Sequence, residues 1–206
     1  MANFQLKNKR LLEVTLNNEK VMARTGAMVA YDGNIKFEKS VTGGEGFFGA
    51  LKRRVTGESL DMMTASGMGV VYFARNAIEI TIVPLQNEKI FIESSSLLAF
   101  EPHLRTSTAF AGLRGATTGQ GLFTTTIEGM GNLAVISHGG LIMLEVTPST
   151  PLCVDPDAFV AYKGNVTQEF IFDVNWKTMI GQTSGESFQL KFSGMGVVYI
   201  QPSERK

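Results

Sequence analysis

The sequence predicts an all-β chain of three tandem units forming one body with pseudo-threefold symmetry and at most very short helices. Three observations carry that expectation. A tripeptide recurs at near-constant spacing, short runs of β-branched and aromatic residues lie between turn formers, and no helical periodicity persists over about ten residues.

The tripeptide is Gly67-Met68-Gly69, Gly129-Met130-Gly131 and Gly194-Met195-Gly196, at intervals of 62 and 65 residues. A related corner precedes each copy: "TGESL" from Thr56, "TGQGL" from Thr118 and "SGESF" from Ser184. Further upstream, "GAMVAYDGN" from Gly26, "SSLLAFEPH" from Ser95 and "DAFVAYKGN" from Asp157 share an apolar-Ala-aromatic step. The openings "LLEVTLNNEKV" from Leu11, "AIEITIVPLQNEKI" from Ala77 and "LIMLEVTPSTPL" from Leu141 also correspond. Four landmarks in one order, three times, place the units at 11–74, 77–138 and 141–202 within a single body spanning 1–206. Residues 12–16, 78–83, 188–192 and 197–200 read as short strands. The Gly-Met-Gly tripeptides are expected between strands, at reversals needing positive φ or close backbone approach, with the methionine as a packing residue.

Composition points to assembly. Hydrophobic residues make up 44% of the 206 and charged residues 18%, against roughly 25% charged in an average domain. With no long apolar run to place in a bilayer, the surplus is expected at a subunit interface, giving a homo-oligomer with a trimer favoured. Lys plus Arg and Asp plus Glu number 19 each, so no long-range field draws the chain to nucleic acid. The polar start "MANFQLKNKR" lacks a signal-peptide layout, and a cytoplasmic location is expected.

The residues that usually carry chemistry are sparse. Cys153 is the single cysteine; between apolar neighbours it reads as a buried small hydrophobe. His103 and His138 are the only histidines, which leaves a hydrolase or metal enzyme as the weakest reading. Asp155 and Asp157 flank Pro156 and read as turn residues. No catalytic, cofactor or metal residues are assigned.

One stretch imitates a dinucleotide loop. Gly44-x-Gly46-x-x-Gly49 precedes a short helical pattern, but Thr56-Gly57 ends that pattern within about two turns, too early for a βαβ unit. Aligned on the corner glycines Gly57, Gly119 and Gly185, the units instead share an aromatic and an aliphatic residue three apart, Phe48 and Leu51, Phe110 and Leu113, Trp176 and Met179. These read as a packed plug on one face of a helical turn. The first unit alone adds Phe47 and the run Lys52-Arg53-Arg54. The Gly43 to Arg54 loop, with Phe47, Phe48, Lys52, Arg53 and Arg54, is therefore the candidate contact for a protein partner or a membrane surface.

The ordered series "GGEGFFGALKRRVTGES", "SGMGVVYFA", "GLFTTTIEGMG", "AFVAYKGNV" and "SGESFQLKFSGMGVVYIQ" resembles the mitochondrial-biogenesis family named for altered inheritance of mitochondria, over most of the chain. That resemblance implies a triplicated fold similar to the tryptophan RNA-binding attenuation protein, of the double-stranded β-helix kind, in a bacterial member. It implies no established activity, and no ligand chemistry is carried over. The function expected is a non-enzymatic binding or assembly scaffold that self-associates. The alternative is a small-molecule-binding module with sites between units or subunits.

Overall fold

The computed structural model describes residues 2–40, 61–111, 122–172 and 188–204. Within them the chain is antiparallel β. Its strands are β1 (Asn3–Asn8), β2 (Leu11–Arg24), β3 (Met28–Ser40), β4 (Met62–Phe73), β5 (Glu79–Glu93), β6 (Leu97–Phe100), β7 (Arg105–Ala111), β8 (Leu122–Ser137), β9 (Ile142–Val146), β10 (Leu152–Val154), β11 (Phe159–Phe172) and β12 (Phe188–Ile200). The only helical element among the described residues is a 3₁₀ turn, Ser94–Ser96.

All twelve strands join one sheet, whose hydrogen-bonded path runs β10-β12-β11-β5-β8-β6-β2-β4-β3. Three long strands are paired along both edges. β4 lies between β2 and β3, β8 has β5 on one side with β6 and β7 on the other, and β12 lies between β11 and the β9 and β10 segments. Two further pairings stitch these groups together. β6 meets β2 through Phe100↔Met22 and Ala99↔Ala23, and β11 meets β5 through Ala161↔Ile92, Tyr162↔Phe91 and Lys163↔Ile90.

Period-two alternation sets the faces. In β2, Leu12, Val14 and Leu16 are fully buried while the residues between them are only half-buried, the pattern of a strand with one face on the core. The alternation breaks at Asn18, whose φ is +62°, where the register against β4 slips by one residue. β5 slips in the same way at Asn87, φ +59°. Asn tolerates this left-handed conformation better than most residues because its short side chain bonds locally, so "NNEK" and "QNEK" act as bulge signatures. Pro84 fits inside β5 because only the β8 side is paired at that point.

Burial is shared between the groups of strands. One cluster, around Leu12, Val14, Phe73 and Val71, also takes in Leu98, Ala99 and Ala134. A second, around Ile90, Ile92, Ile127 and Leu133, takes in Met22 and Met62 from one side and Val160, Ala161 and Tyr199 from the other. A third gathers Phe159, Tyr162, Leu190, Phe192 and Val198, with Phe159 and Phe192 stacked at a centroid separation of 5.4 Å.

Four expectations need correction. The strands are longer than the sequence pattern suggests, because residues 188–192 and 197–200 merge into β12 with Gly194-Met195-Gly196 inside it. The Gly-Met-Gly tripeptides therefore lie within strands β4, β8 and β12, not at reversals. Positive φ and close backbone approach hold in the first and third copies, whereas in the second Gly129 has φ +137° and a Cβ there would meet the Leu104 side chain. Gly67 has φ +136° and a Cβ there would stand 2.1 Å from the Asn34 carbonyl oxygen; at Gly194, φ +118°, it would stand 2.2 Å from that of Asn165. The methionines do not pack: Met68, Met130 and Met195 are 55%, 61% and 66% exposed, because the flanking glycines take the positions facing the neighbouring backbone and turn the methionine outward. Cys153, finally, is exposed, since β10 pairs on one edge only and Leu152 and Val154 take the inner positions.

The Gly-Met-Gly geometry predicts an asymmetry between neighbouring positions. Gly67→Ala should destabilise the protein by about 2 kcal/mol or more through backbone clash and left-handed strain. Met68→Ser should change stability by less than about 0.5 kcal/mol, as for an exposed surface site. Denaturant unfolding of both variants measures the difference.

Candidate functional site

The expected contact loop, Phe47, Phe48, Lys52, Arg53 and Arg54, lies outside the described residues. So do the corner glycines and the plug residues Phe48, Leu51, Leu113, Trp176 and Met179; of that set only the backbone of Phe110 is described, in strand β7 and not in a helical turn. The site-forming geometry that is described falls into three places: the two seams that stitch the strand groups, a polar cleft, and the two ends of the sheet.

The seam between β2 and β6 is built on buried polar groups. Arg24 donates from Nε to the Leu97 carbonyl at 3.1 Å and from Nη2 to the Ser94 carbonyl. Glu93, buried, accepts from the backbone N–H of Ser95 and Ser96 at 3.1 and 3.2 Å and from both serine hydroxyls, capping the 3₁₀ turn. Such charge-assisted bonds position the backbone where the two strand groups meet. The seam between β5 and β11 stacks Phe91 on Tyr162, centroids 4.6 Å apart and planes within 8°, beside an ion pair from Lys163 Nζ to Glu88 Oε1 at 2.9 Å. Burial of the phenol raises the Tyr162 pKa above 10.0. For Lys163, burial works to lower the pKa, but the hydrogen bond to Glu88, with the charges of Tyr199 and Glu88, outweighs it and holds the ammonium above 10.5.

The two histidines serve different surfaces. His103 Nε2 lies 2.8 Å from the Met130 carbonyl oxygen, beside the buried Glu101, whose carboxylate accepts the Asn132 N–H at 2.7 Å. His138 lines a cleft of about 500 Å³ with Arg75, Asn76, Ser95, Ser96 and Glu204. Met130 and Ser137 lie seven residues apart on β8, about 23 Å of fully extended strand, so the two histidines meet that strand at different places. No group of three or more metal-ligating side chains occurs among the described residues. The cleft offers the Arg75 guanidinium, the His138 ring and hydroxyls, a set suited to hydrogen bonding a polar molecule. Asp155 acts as a turn acceptor, its carboxylate taking the Asp157 N–H at 2.8 Å.

At the sheet ends, β3 pairs only with β4, and β9 and β10 pair only with β12, among the described pairings. Apolar side chains stand in the open there: Val29 and Tyr31 on β3, at 56% and 51% exposure, and Ile142 and Met143 on β9. Sequence reasoning did not single out these ends. The signal was present, because Val29-Ala30-Tyr31 repeats the pattern of Leu98-Ala99-Phe100 and Val160-Ala161-Tyr162, which are buried.

The family described as Mitochondrial biogenesis AIM24 matches residues 4–203. The chain belongs to that family. Among solved structures it is similar to the crystal structure of protein SPYM3_0169 from Streptococcus pyogenes, with a TM-score of 0.75 and 23% identity, covering 99% of this chain and 94% of that one. This likeness shows the fold. No curated protein matches the chain. Among the described residues, no helix is long and apolar enough to cross a membrane.

The Lys163–Glu88 pair gives a prediction with a definite sign. A lysine raised in the folded state contributes stability that is complete below the ordinary lysine range and is lost as pH rises through the raised value. Glu88→Gln removes the hydrogen-bonded carboxylate that raises it, so the Lys163 titration observed by side-chain NMR should move downward.

Proposed function

We propose that this family member is a non-enzymatic assembly protein that associates with copies of itself, each chain contributing three β units at 11–74, 77–138 and 141–202. The observation that carries the reading is the pair of exposed apolar sheet ends, Val29 and Tyr31 on β3 and Ile142 and Met143 on β9. A strand edge of this kind presents unpaired N–H and C=O groups to solvent and invites another chain unless it is covered. β3 does carry Lys36, Glu38 and Lys39, but they lie in its second half, and Met28 to Tyr31 bear no charge. Low overall charge points the same way.

Support for three units, and for a fold of the attenuation-protein kind, comes from the parallel roles of β4, β8 and β12. Each carries a Gly-Met-Gly, and each has a partner from the opening of its unit on one side and from the apolar-Ala-aromatic segment, or the strand after it, on the other. The two ends of the path are unlike, so association between them is head to tail, and head-to-tail contacts close into rings when the rotation permits. A closed trimer is the state we favour. The loop with Phe47, Phe48, Lys52, Arg53 and Arg54 is proposed as the contact to a protein partner or to an anionic membrane surface, on its apolar tip and adjoining cations.

Native mass spectrometry of the purified chain should give a multiple of the single-chain mass. The double substitution Val29→Lys, Tyr31→Lys, at exposed positions that leave the core intact, should return the single-chain mass. A wild-type protein that stays at single-chain mass at micromolar concentration would overturn the reading.

A further inference from the structure

We infer that the first half of β3 in one copy pairs antiparallel with β10 of a second copy, in the register Ala30↔Val154, Tyr31↔Cys153 and Asp32↔Leu152. The inference rests on the self-association proposed above and specifies the surface and partner that would produce it.

The register follows from the two seams inside the chain. At the first, Ala99 of β6 pairs with Ala23 of β2, and Ala23 pairs on its other side with Met63, four residues before Gly67. At the second, Ala161 of β11 pairs with Ile92 of β5, and Ile92 pairs with Thr125, four residues before Gly129. Both seams thus join the central alanine of an apolar-Ala-aromatic step to the strand residue whose partner lies four before a Gly-Met-Gly. The third tripeptide begins at Gly194, and the residue four before it, Leu190, pairs with Val154 of β10. The remaining apolar-Ala-aromatic step is Val29-Ala30-Tyr31. Matching the two places Ala30 opposite Val154.

The neighbouring pairs extend the match. Phe100 faces Met22 in the first seam and Tyr162 faces Phe91 in the second; the third equivalent is Tyr31 facing Cys153. Burial distinguishes the used edges from the unused ones. Leu98, Ala99, Phe100, Val160, Ala161 and Tyr162 are all buried within the chain, whereas Val29, Ala30, Tyr31 and Cys153 are exposed. Within one chain the described pairings leave β3 and β10 at opposite ends of the sheet path. A second copy supplies the missing partner at one end, and every added copy presents the same two ends again. The partner is therefore this chain itself and not a different protein, which would need to reproduce both edges.

The native Cys153 makes the register directly testable. Facing residues of an antiparallel pair have Cα atoms about 4.5 to 5.5 Å apart, inside the range a disulfide spans. Tyr31→Cys, at an exposed position, should cross-link to Cys153 of the next copy under mild oxidation and give covalent multimers on a non-reducing gel. Lys36→Cys, on the same strand but out of register, should cross-link roughly tenfold less, and Tyr31→Cys combined with Cys153→Ser should lose the ladder. Native mass spectrometry runs alongside. An oligomer in which Tyr31→Cys cross-links no better than Lys36→Cys overturns this seam and leaves self-association standing. Wild-type protein at the single-chain mass overturns both.

Discussion

The fold depends on three strands that are hydrogen-bonded along both edges. β4, β8 and β12 each have neighbours on both sides, so their backbone groups find partners inside the sheet, where an unpaired group would be costly. A strand in that position cannot bend away from a crowded neighbour. The Gly-Met-Gly tripeptides answer this constraint, since removing the Cβ lets Gly67 and Gly194 approach facing carbonyls that any side chain would strike. The bulges at Asn18 and Asn87 fall opposite the same points. Together they let long strands twist without losing their pairs.

Paired central strands leave the flanking strands to make the connections. β2 and β5 each spend a few residues near their C-terminal ends on a second partner, β6 or β11, and the side chains at those points are among the most buried in the chain. At the first seam Arg24, Glu93 and the serines of the 3₁₀ turn are held by hydrogen bonds. The second seam uses a ring stack and one ion pair. Different chemistry thus holds similar backbone geometry, as expected when main-chain pairing sets the fold and side chains adapt to it.

Several ionisable side chains are likewise committed to holding the backbone. The histidines meet β8 at different places, and Glu101 and Glu93 spend their carboxylates on backbone N–H groups. The surface presents exposed methionines in the middle of long strands and, at the sheet ends, apolar edges with no second partner among the described pairings. Membership of the mitochondrial-biogenesis family adds no reaction to this description.

The sequence by itself determined the all-β class, the family, and the need for glycine at the close approaches, because these depend on local composition, on short motifs and on the absence of a Cβ. The recurring "NNEK" and "QNEK" bulge signatures were also written locally. Only the tertiary structure decided that the methionines of Gly-Met-Gly face outward, that Cys153 is exposed, and that two predicted strands form one. It also decided which of three near-identical apolar-Ala-aromatic steps is left open. Leu98-Ala99-Phe100 and Val29-Ala30-Tyr31 read alike as words; one is buried and the other exposed because burial on a strand depends on which distant edge pairs with it, and no local pattern encodes a partner that lies some seventy residues away.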